Sequence, residues 1–128
     1  MKSSKGFGEP NKIKKETVVK KKINLTPEEL ITAAFKSHSR GNIDDAIIYY
    51  ELFLEKGFID SRVFSNYGVI CNQIGQTDKA IELSKKSIEL NPNHANAHFN
   101  LGNVLITSGK LEEAETSTRK AIELNPNH

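Results

Sequence analysis

The chain has 128 residues, enough for one ordinary domain or a short stack of repeats, but too few to add a separate catalytic domain. Hydrophobic residues make up 37% of the chain and charged residues 27%, which is typical of globular proteins. The formal net charge of +2 hides an uneven distribution, because basic residues concentrate at the amino terminus and acidic residues dominate the remainder.

Residues 1–25 form a lysine-rich arm. They contain eight lysines and two glutamates, a balance of +6, whereas the residues from Thr26 onward contain ten basic and fourteen acidic side chains, a balance of −4. We expect the arm to be disordered because few apolar residues interrupt the lysines. The run 20–22 is able to hold an anionic surface by counterion release. We favour a solubilising tail, and nucleic acid is not an expected partner, because the arm lacks arginines and interleaved aromatic residues.

No apolar stretch has the length of a secretory signal or a membrane span, so we expect a cytoplasmic protein without a transmembrane helix. Cys71 is the single cysteine of the chain. An intrachain disulfide is therefore impossible, which fits a reducing compartment.

The dominant feature of the sequence is an internal repeat of 34 residues. Residues 88–94 read IELNPNH, and residues 122–128 read IELNPNH again. Alignment at this offset gives twelve identities in thirty-four positions. A weaker match one period earlier divides the chain into three blocks, 27–60, 61–94 and 95–128, of which the first is divergent.

Each block predicts two short helices joined by a turn. In the first block, Thr26 is the expected N-cap, Pro27 the first helical residue and Glu29 the residue that completes a capping box. An Asn-Pro pair ends the second helix of the later blocks, because proline lacks the amide hydrogen and disfavours helix in the residue before it. A glycine marks the turn between the paired helices in every block: Gly41, Gly75 and Gly109.

Small residues in the middle of the predicted helices allow paired helices to cross closely. They recur at equivalent positions: Ala46, Ala80, Ala114, Gly68 and Gly102. A 34-residue helix-turn-helix unit with these small residues and a terminal Asn-Pro resembles the tetratricopeptide repeat, or TPR. The resemblance covers residues 27–128 and implies an all-α fold, a right-handed α-solenoid of three repeats that has no catalytic residues, binds no cofactor and is not an enzyme.

By the same resemblance, the first helix of each repeat contributes to a concave groove that binds peptides. The implied groove residues are Thr32, Phe35, Arg62, Asn66, Val69, Gln73, Phe99, Asn100 and Asn103. The wider wall also includes Ile31, His38, Ser65, Asn72, Asn96 and Thr107.

The amide side chains of this wall offer both donors and acceptors, so they suit the backbone of an extended peptide. The wall resembles the asparagine ladder of protein glycosyltransferase repeats more than the cationic clamp of chaperone-binding adaptors, because Arg62 is its only fixed cation. We therefore expect poor affinity for peptides that end in acidic residues. The alternative is that Asn66 and Asn100 are common family residues without a ligand.

The histidines and the cysteine do not suggest a metal or catalytic site. His94 and His98 are four residues apart, but His94 lies in the predicted turn, and no nearby carboxylate or cysteine completes a ligand set. Cys71 falls on the packing face of its helix, and its counterpart one repeat later is Leu105. We interpret Cys71 as a core residue and predict neither a metal nor a nucleophile.

The sequence ends directly after a complete block. In a longer stack, Ala121 and Leu124 would pack against the next repeat. We therefore expect these two residues to be partly exposed and to form an assembly surface for a partner or a second copy. The alternative is that the chain belongs to a longer protein.

The leading functional hypothesis is a non-catalytic scaffold or adaptor that binds a peptide or helix of another protein in the groove. One alternative is the N-terminal targeting segment of a larger TPR-linked glycosyl-, methyl- or sulfotransferase. Another is an anionic-surface binder that uses the lysine-rich arm. The identity of the partner is not predicted, because such repeats determine architecture more firmly than ligand.

Overall fold

The structure, a computed structural model, describes residues 24–126. Six α-helices account for most of this part of the chain: α1 (Pro27–Ser39), α2 (Ile43–Glu55), α3 (Ser61–Gln73), α4 (Thr77–Leu90), α5 (Ala95–Thr107) and α6 (Leu111–Leu124). No strand occurs in the described part of the chain, and the predicted all-α fold class is confirmed. None of these helices combines the length and the apolar character that crossing a bilayer requires.

Two compact units make up the described residues, one ending at Ile59 and the other beginning at Asp60. The first contains the hairpin of α1 and α2, and the second contains the hairpins α3–α4 and α5–α6. The predicted lysine-rich arm lies outside the described residues up to position 23. The two units are described in turn.

Helix α1 begins with the predicted capping box. Thr26 Oγ1 accepts a hydrogen bond from the Glu29 amide at 3.1 Å, and Glu29 Oε1 accepts one from the Thr26 amide at 2.9 Å. These bonds satisfy amide groups that no helical carbonyl reaches. Pro27 is the first helical residue, where its missing N–H costs no hydrogen bond. The predicted start of this helix is therefore confirmed.

An aromatic cluster on α2 holds the first hairpin together. Tyr50 is fully buried, and its ring centroid lies 6.3 Å from that of Phe35 and 6.4 Å from that of His38. Phe53 is also buried and meets the edge of Phe58 at a centroid distance of 5.4 Å. Aromatic side chains bury a large apolar area each, so this cluster stabilises a hairpin that lacks the Asn-Pro ending of the others.

The three hairpins use the same glycine turn. Gly41, Gly75 and Gly109 have φ angles of 80°, 86° and 81°, in the left-handed region that other residues rarely adopt. In each hairpin, the amide of the residue after the glycine donates a 2.8 Å hydrogen bond to a carbonyl in the last turn of the preceding helix. The pairs are Asn42 to Ser37, Gln76 to Cys71 and Lys110 to Leu105. One turn geometry at a constant spacing accounts for the recurring glycine of the sequence.

In the second unit, α4 and α3 both pack against α5, so the two hairpins share one core. That core is almost entirely apolar: Val63, Ile70, Cys71, Ala80, Ala97 and Val104 are each no more than 1% exposed. The predicted core position of Cys71 is confirmed. One buried hydroxyl is satisfied across the α3–α4 hairpin, because Ser87 Oγ donates to the Ser61 carbonyl at 2.8 Å.

Glycine permits the closest approach between paired helices at two equivalent positions. A Cβ atom at Gly68 would lie 3.1 Å from Ser84 Oγ on α4, and one at Gly102 would lie 2.5 Å from Thr118 Oγ1 on α6. The partner helix therefore occupies the space that a side chain would need. The close crossing that the sequence predicts is confirmed at both glycines.

Gly102→Ala is expected to destabilise the protein by about 1 kcal/mol, because the clash with Thr118 outweighs the gain in helix propensity. Urea denaturation followed by circular dichroism measures this change. In a Thr118→Ala background the clash is absent, so adding Gly102→Ala is expected to stabilise the protein. A Gly102→Ala single variant that is more stable than the parent protein would contradict the assignment.

Two histidines are partly buried in positions that disfavour their charged forms. Burial lowers the pKa of His38 from its usual 6.5. Burial also lowers the pKa of His94, the charge of His98 lowers it further, and the Asp60 carboxylate opposes both. The buried Nδ1 of His94 has no hydrogen-bond partner among the described residues. Protonation of either ring therefore favours the unfolded chain.

We expect the melting temperature to fall as the pH decreases from about 7.5 through 6.5 to about 5.5. The folded pKa values of His38 and His94 lie below the unfolded ones, so the unfolded state binds more protons in this window. Asp60 does not contribute, because its hydrogen bond with Arg62 lowers its pKa. His38→Gln plus His94→Gln should flatten the profile in thermal denaturation, and an unchanged slope would show that other groups titrate.

Candidate functional site

The second unit contains an open recess between α3 and α5, the first helices of its two hairpins. The recess has a volume of about 210 Å³. Its lining comprises Val69, Asn72, Gln73, Asn100, Asn103 and Val104. Four of these six side chains are carboxamides, two are valines and none is charged. We refer to it as the amide recess, and its chemistry suits hydrogen bonding around a small apolar floor.

Helical spacing places these side chains on one face of each helix. The residues at 69, 72 and 73 of α3 and at 100, 103 and 104 of α5 follow the same i, i+3, i+4 pattern. The pattern on α3 begins at Val69, whereas the pattern on α5 begins at Asn100, which is the repeat equivalent of Asn66. The two contributing faces are therefore offset by about one helical turn along the chain. Val69 and Asn103 are the one pair of repeat-equivalent residues that lines the recess, whereas the equivalent of Asn100, Asn66, does not.

Asn100 is held in place by a neighbour on the other helix. Its Nδ2 donates to Ser65 Oγ at 3.0 Å, and Ser65 is only 2% exposed. This bond links α5 to α3 and fixes the orientation of the carboxamide. The oxygen of Asn100 has no partner among the described residues, so it is available to a ligand donor.

Asn72 contributes an acceptor that the protein does not satisfy. Its Oδ1 is buried and has no hydrogen-bond partner in the described part of the chain. Leaving a buried polar group without a partner costs roughly 1–3 kcal/mol. The oxygen is inaccessible to solvent, so a ligand N–H group reaches it only after the Asn72 side chain rotates towards the recess. The exposed carboxamides of Gln73 and Asn103 are accessible without such a change.

Arg62, the only cation of the predicted groove, is engaged by a neighbouring acid. Its Nη2 lies 2.8 Å from Asp60 Oδ2 and its Nε lies 3.0 Å from Asp60 Oδ1. Asp60 Oδ1 also accepts the Arg62 amide at 2.8 Å as the N-cap of α3. The guanidinium is thus tied to the start of its own helix and does not line the recess.

The remaining predicted groove residues lie elsewhere. In the first unit, Thr32 is exposed on α1, and Phe35 is half-buried against Tyr50. In the second, Asn66 is half-buried and Phe99 is 37% exposed, and neither lines the amide recess. Their roles in ligand binding stay predictions.

The structure brings together four of the predicted groove residues, Val69, Gln73, Asn100 and Asn103. It adds Asn72, which the wider wall included, and Val104, which sequence reasoning missed. The i, i+4 spacing of Val104 from Asn100 was the signal available for it.

The structure agrees only in part with the predicted exposure of Ala121 and Leu124. Ala121 is only 5% exposed, so its predicted exposure is wrong. It occupies the position of Ser87, which points toward the first helix of its own hairpin. Leu124 is half-buried, whereas Leu111 and Ile122 are the exposed large apolar residues of α6. The assembly role of this helix stays a prediction.

The two neighbouring histidines have separate surroundings. His98 Nε2 lies 2.9 Å from the Pro92 carbonyl oxygen, to which it donates in its Nε2–H form. Nδ1 of His94 is buried. Within residues 24–126, no three histidine, cysteine or acidic side chains come together in a group that could hold a metal ion.

Solved structures share this fold. MamA superposes with a TM-score of 0.78 at 24% identity and covers 98% of this chain and 72% of that chain. An O-GlcNAc transferase mutant of Thermobaculum terrenum has a TM-score of 0.77 at 27% identity over 83% of this chain and 20% of that chain, so this chain spans about a fifth of the transferase.

The Yersinia enterocolitica type III secretion chaperone SycD, in complex with a peptide of the translocator YopD, has a TM-score of 0.71 at 28% identity. The match covers 78% of this chain and 76% of that chain.

The family of the chain follows from its match to a protein-family model. No curated protein matched the chain. The family model described as the cilia and flagella-associated protein 70 middle TPR-like domain matches residues 30–128, which include all six helices apart from the first three residues of α1. The resemblance to tetratricopeptide repeats is thereby confirmed, and the chain belongs to this family of TPR-like domains.

Proposed function

We propose that the chain is a non-catalytic protein-interaction module that binds an extended peptide segment in the amide recess. The observation that carries this proposal is the set of four carboxamides that line one uncharged recess: Asn72, Gln73, Asn100 and Asn103. A peptide backbone offers N–H and C=O groups at regular intervals, and carboxamides match both. A helical partner would keep its backbone groups paired, so we favour an extended segment.

The amide recess should recognise backbone more than charge. None of its lining residues is charged, and the Arg62 guanidinium is bonded to Asp60. A C-terminal carboxylate or an acidic side chain would therefore find no free cation there. We expect peptide affinity at this recess to change little with ionic strength.

Relatives with the same fold support peptide binding as the general activity. SycD, at 28% identity, is described in complex with a translocator peptide. The first TPR of Spaghetti, bound to an HSP90 peptide, has a TM-score of 0.75 at 22% identity, which supports the fold alone. In this chain, the uncharged lining argues for a ligand that lacks an acidic anchor.

Asn72→Ala plus Asn103→Ala should weaken peptide binding at least tenfold, which corresponds to about 1.4 kcal/mol, because both carboxamides lose their bonds to the peptide backbone. The probes are uncharged eight-residue peptides selected against the unmodified protein from a displayed library. Isothermal titration calorimetry measures their affinity, and circular dichroism verifies the fold of each variant.

Asn66→Ala is the matched control, since Asn66 is a half-buried carboxamide on α3 that does not line the recess. It should leave the affinity unchanged. If Asn66→Ala weakens binding and the double variant does not, the repeat-equivalent asparagines form the site and the recess does not. Failure to select any peptide that depends on Asn72 and Asn103 also overturns the proposal.

The similarity to part of a transferase favours a second candidate, in which the repeats are the targeting segment of a larger enzyme. The chain matches 20% of the length of the Thermobaculum terrenum O-GlcNAc transferase. Sequencing of the transcript tests this candidate. An in-frame transferase domain after residue 128 would support it, and a stop codon at that point would overturn it.

A further inference from the structure

A second recess in the same unit lies apart from the amide recess and shares none of its lining residues. It has a volume of about 390 Å³ and is bounded by α4, α5 and α6. The lining residues that matter here are Lys85, Ile88, His98, Leu101, Ser117 and Lys120. We call it the cationic trench, and the inference drawn from it is independent of the amide recess.

The two recesses use roughly opposite sides of α5. His98 and Leu101 line the cationic trench, whereas Asn100 and Asn103 line the amide recess. At 3.6 residues per turn, these pairs project in nearly opposite directions from the helix axis. A ligand in one recess therefore leaves the other free.

The cationic trench combines an apolar floor with a basic rim. Leu101 is 7% exposed and Ile88 is half-buried. The same recess is lined by lysines on two different helices, Lys85 on α4 and Lys120 on α6. No carboxylate lines the trench, although residues 26–126 carry fourteen acidic and ten basic side chains. Lys85 and Lys120 are thus the lysines of this recess, although Lys85 also borders a neighbouring recess that Asp78 and Glu82 line.

Neither lysine is held in a short, buried ion pair. Lys85 has no ion-pair partner among the described residues. Lys120 Nζ lies 3.8 Å from Glu123 Oε1, but the side chains are 48% and 65% exposed, so this contact is weak. Both ammonium groups are therefore available to an anionic ligand. His98 donates to the Pro92 carbonyl, which fixes its ring as a wall of the trench.

We propose that the cationic trench docks a short acidic segment of a partner protein. One apolar side chain of that segment enters between Ile88 and Leu101, and carboxylates on either side of it meet Lys85 and Lys120. The two lysines stand on separate helices, α4 and α6, so the proposed segment carries acidic residues before and after its apolar residue. Charge complementarity provides the selectivity and apolar burial the affinity.

Charge also argues against an occupant from within the chain. The lysine-rich arm, residues 1–25, has a balance of +6 and would be repelled by Lys85 and Lys120. A second copy of the chain is the other candidate occupant of the trench. Its Leu111 is 64% exposed and precedes Glu112 and Glu113, so it also offers an apolar side chain beside acidic ones. The experiment below separates that occupant from a partner protein.

The probe is a fluorescein-labelled peptide, Asp-Glu-Phe-Leu-Glu-Asp with blocked ends, and its binding to the full chain is followed by fluorescence anisotropy. Lys85→Glu plus Lys120→Glu should weaken binding at least tenfold. A peptide with Asn and Gln in place of Asp and Glu should also bind at least tenfold more weakly. Affinity for the acidic peptide should decrease as salt concentration increases.

Lys86→Glu plus Lys110→Glu is the matched control, because it makes the same change in net charge at exposed lysines that do not line the trench. It should bind the acidic peptide like the unmodified protein. Asn72→Ala plus Asn103→Ala should also leave this binding unchanged, which separates the trench from the amide recess.

Three results would overturn the proposal. The first is no detectable binding of the acidic peptide, and the second is an equal loss in the control and trench variants. The third is a concentration-dependent dimer, detected by light scattering and abolished by Lys85→Glu plus Lys120→Glu, which would assign the trench to a second copy.

Discussion

The close crossing of paired helices is the contact on which the second unit depends. At Gly68 and Gly102 the partner helix lies where a side chain would otherwise project, so each hairpin closes tightly. A tight hairpin holds its two helices in close contact within the packed core. The first helices of the two hairpins, α3 and α5, also pack against each other, and the amide recess lies between them. A wider crossing would displace both faces of α5, and with them both recesses.

Helix α5 is where the two proposed binding activities meet. One side carries the carboxamides of the amide recess, and the roughly opposite side contributes to the cationic trench. The first surface offers hydrogen bonds without charge, and the second offers charge above an apolar floor. Two ligands of different chemistry therefore suit one small unit without competing for the same side chains. A module of this kind is able to bring two protein segments together, as the scaffold hypothesis requires.

Some of the residues that the sequence assigned to the groove lie together in the structure, and others do not. Val69, Gln73, Asn100 and Asn103 come together as lining residues, because helical periodicity determines which side chains share a face. The pairing of Asn66 with Asn100 followed from equal repeat positions, but the contributing faces are offset by about one turn. Repeat periodicity brings the equivalent pair Val69 and Asn103 together, but it does not by itself show which turns of neighbouring helices lie side by side.

Local chemistry in the sequence determined the helices, their capping box at Thr26 and Glu29, and the glycine turns, since these features depend on residues close in the chain. The 34-residue period likewise determined the repeat family. Tertiary structure alone decided that Asn72 Oδ1 is buried without a partner and that Lys85 and Lys120, on different helices, share one trench. Those properties arise from packing between helices distant in sequence, where depth and offset depend on the sum of many side-chain contacts.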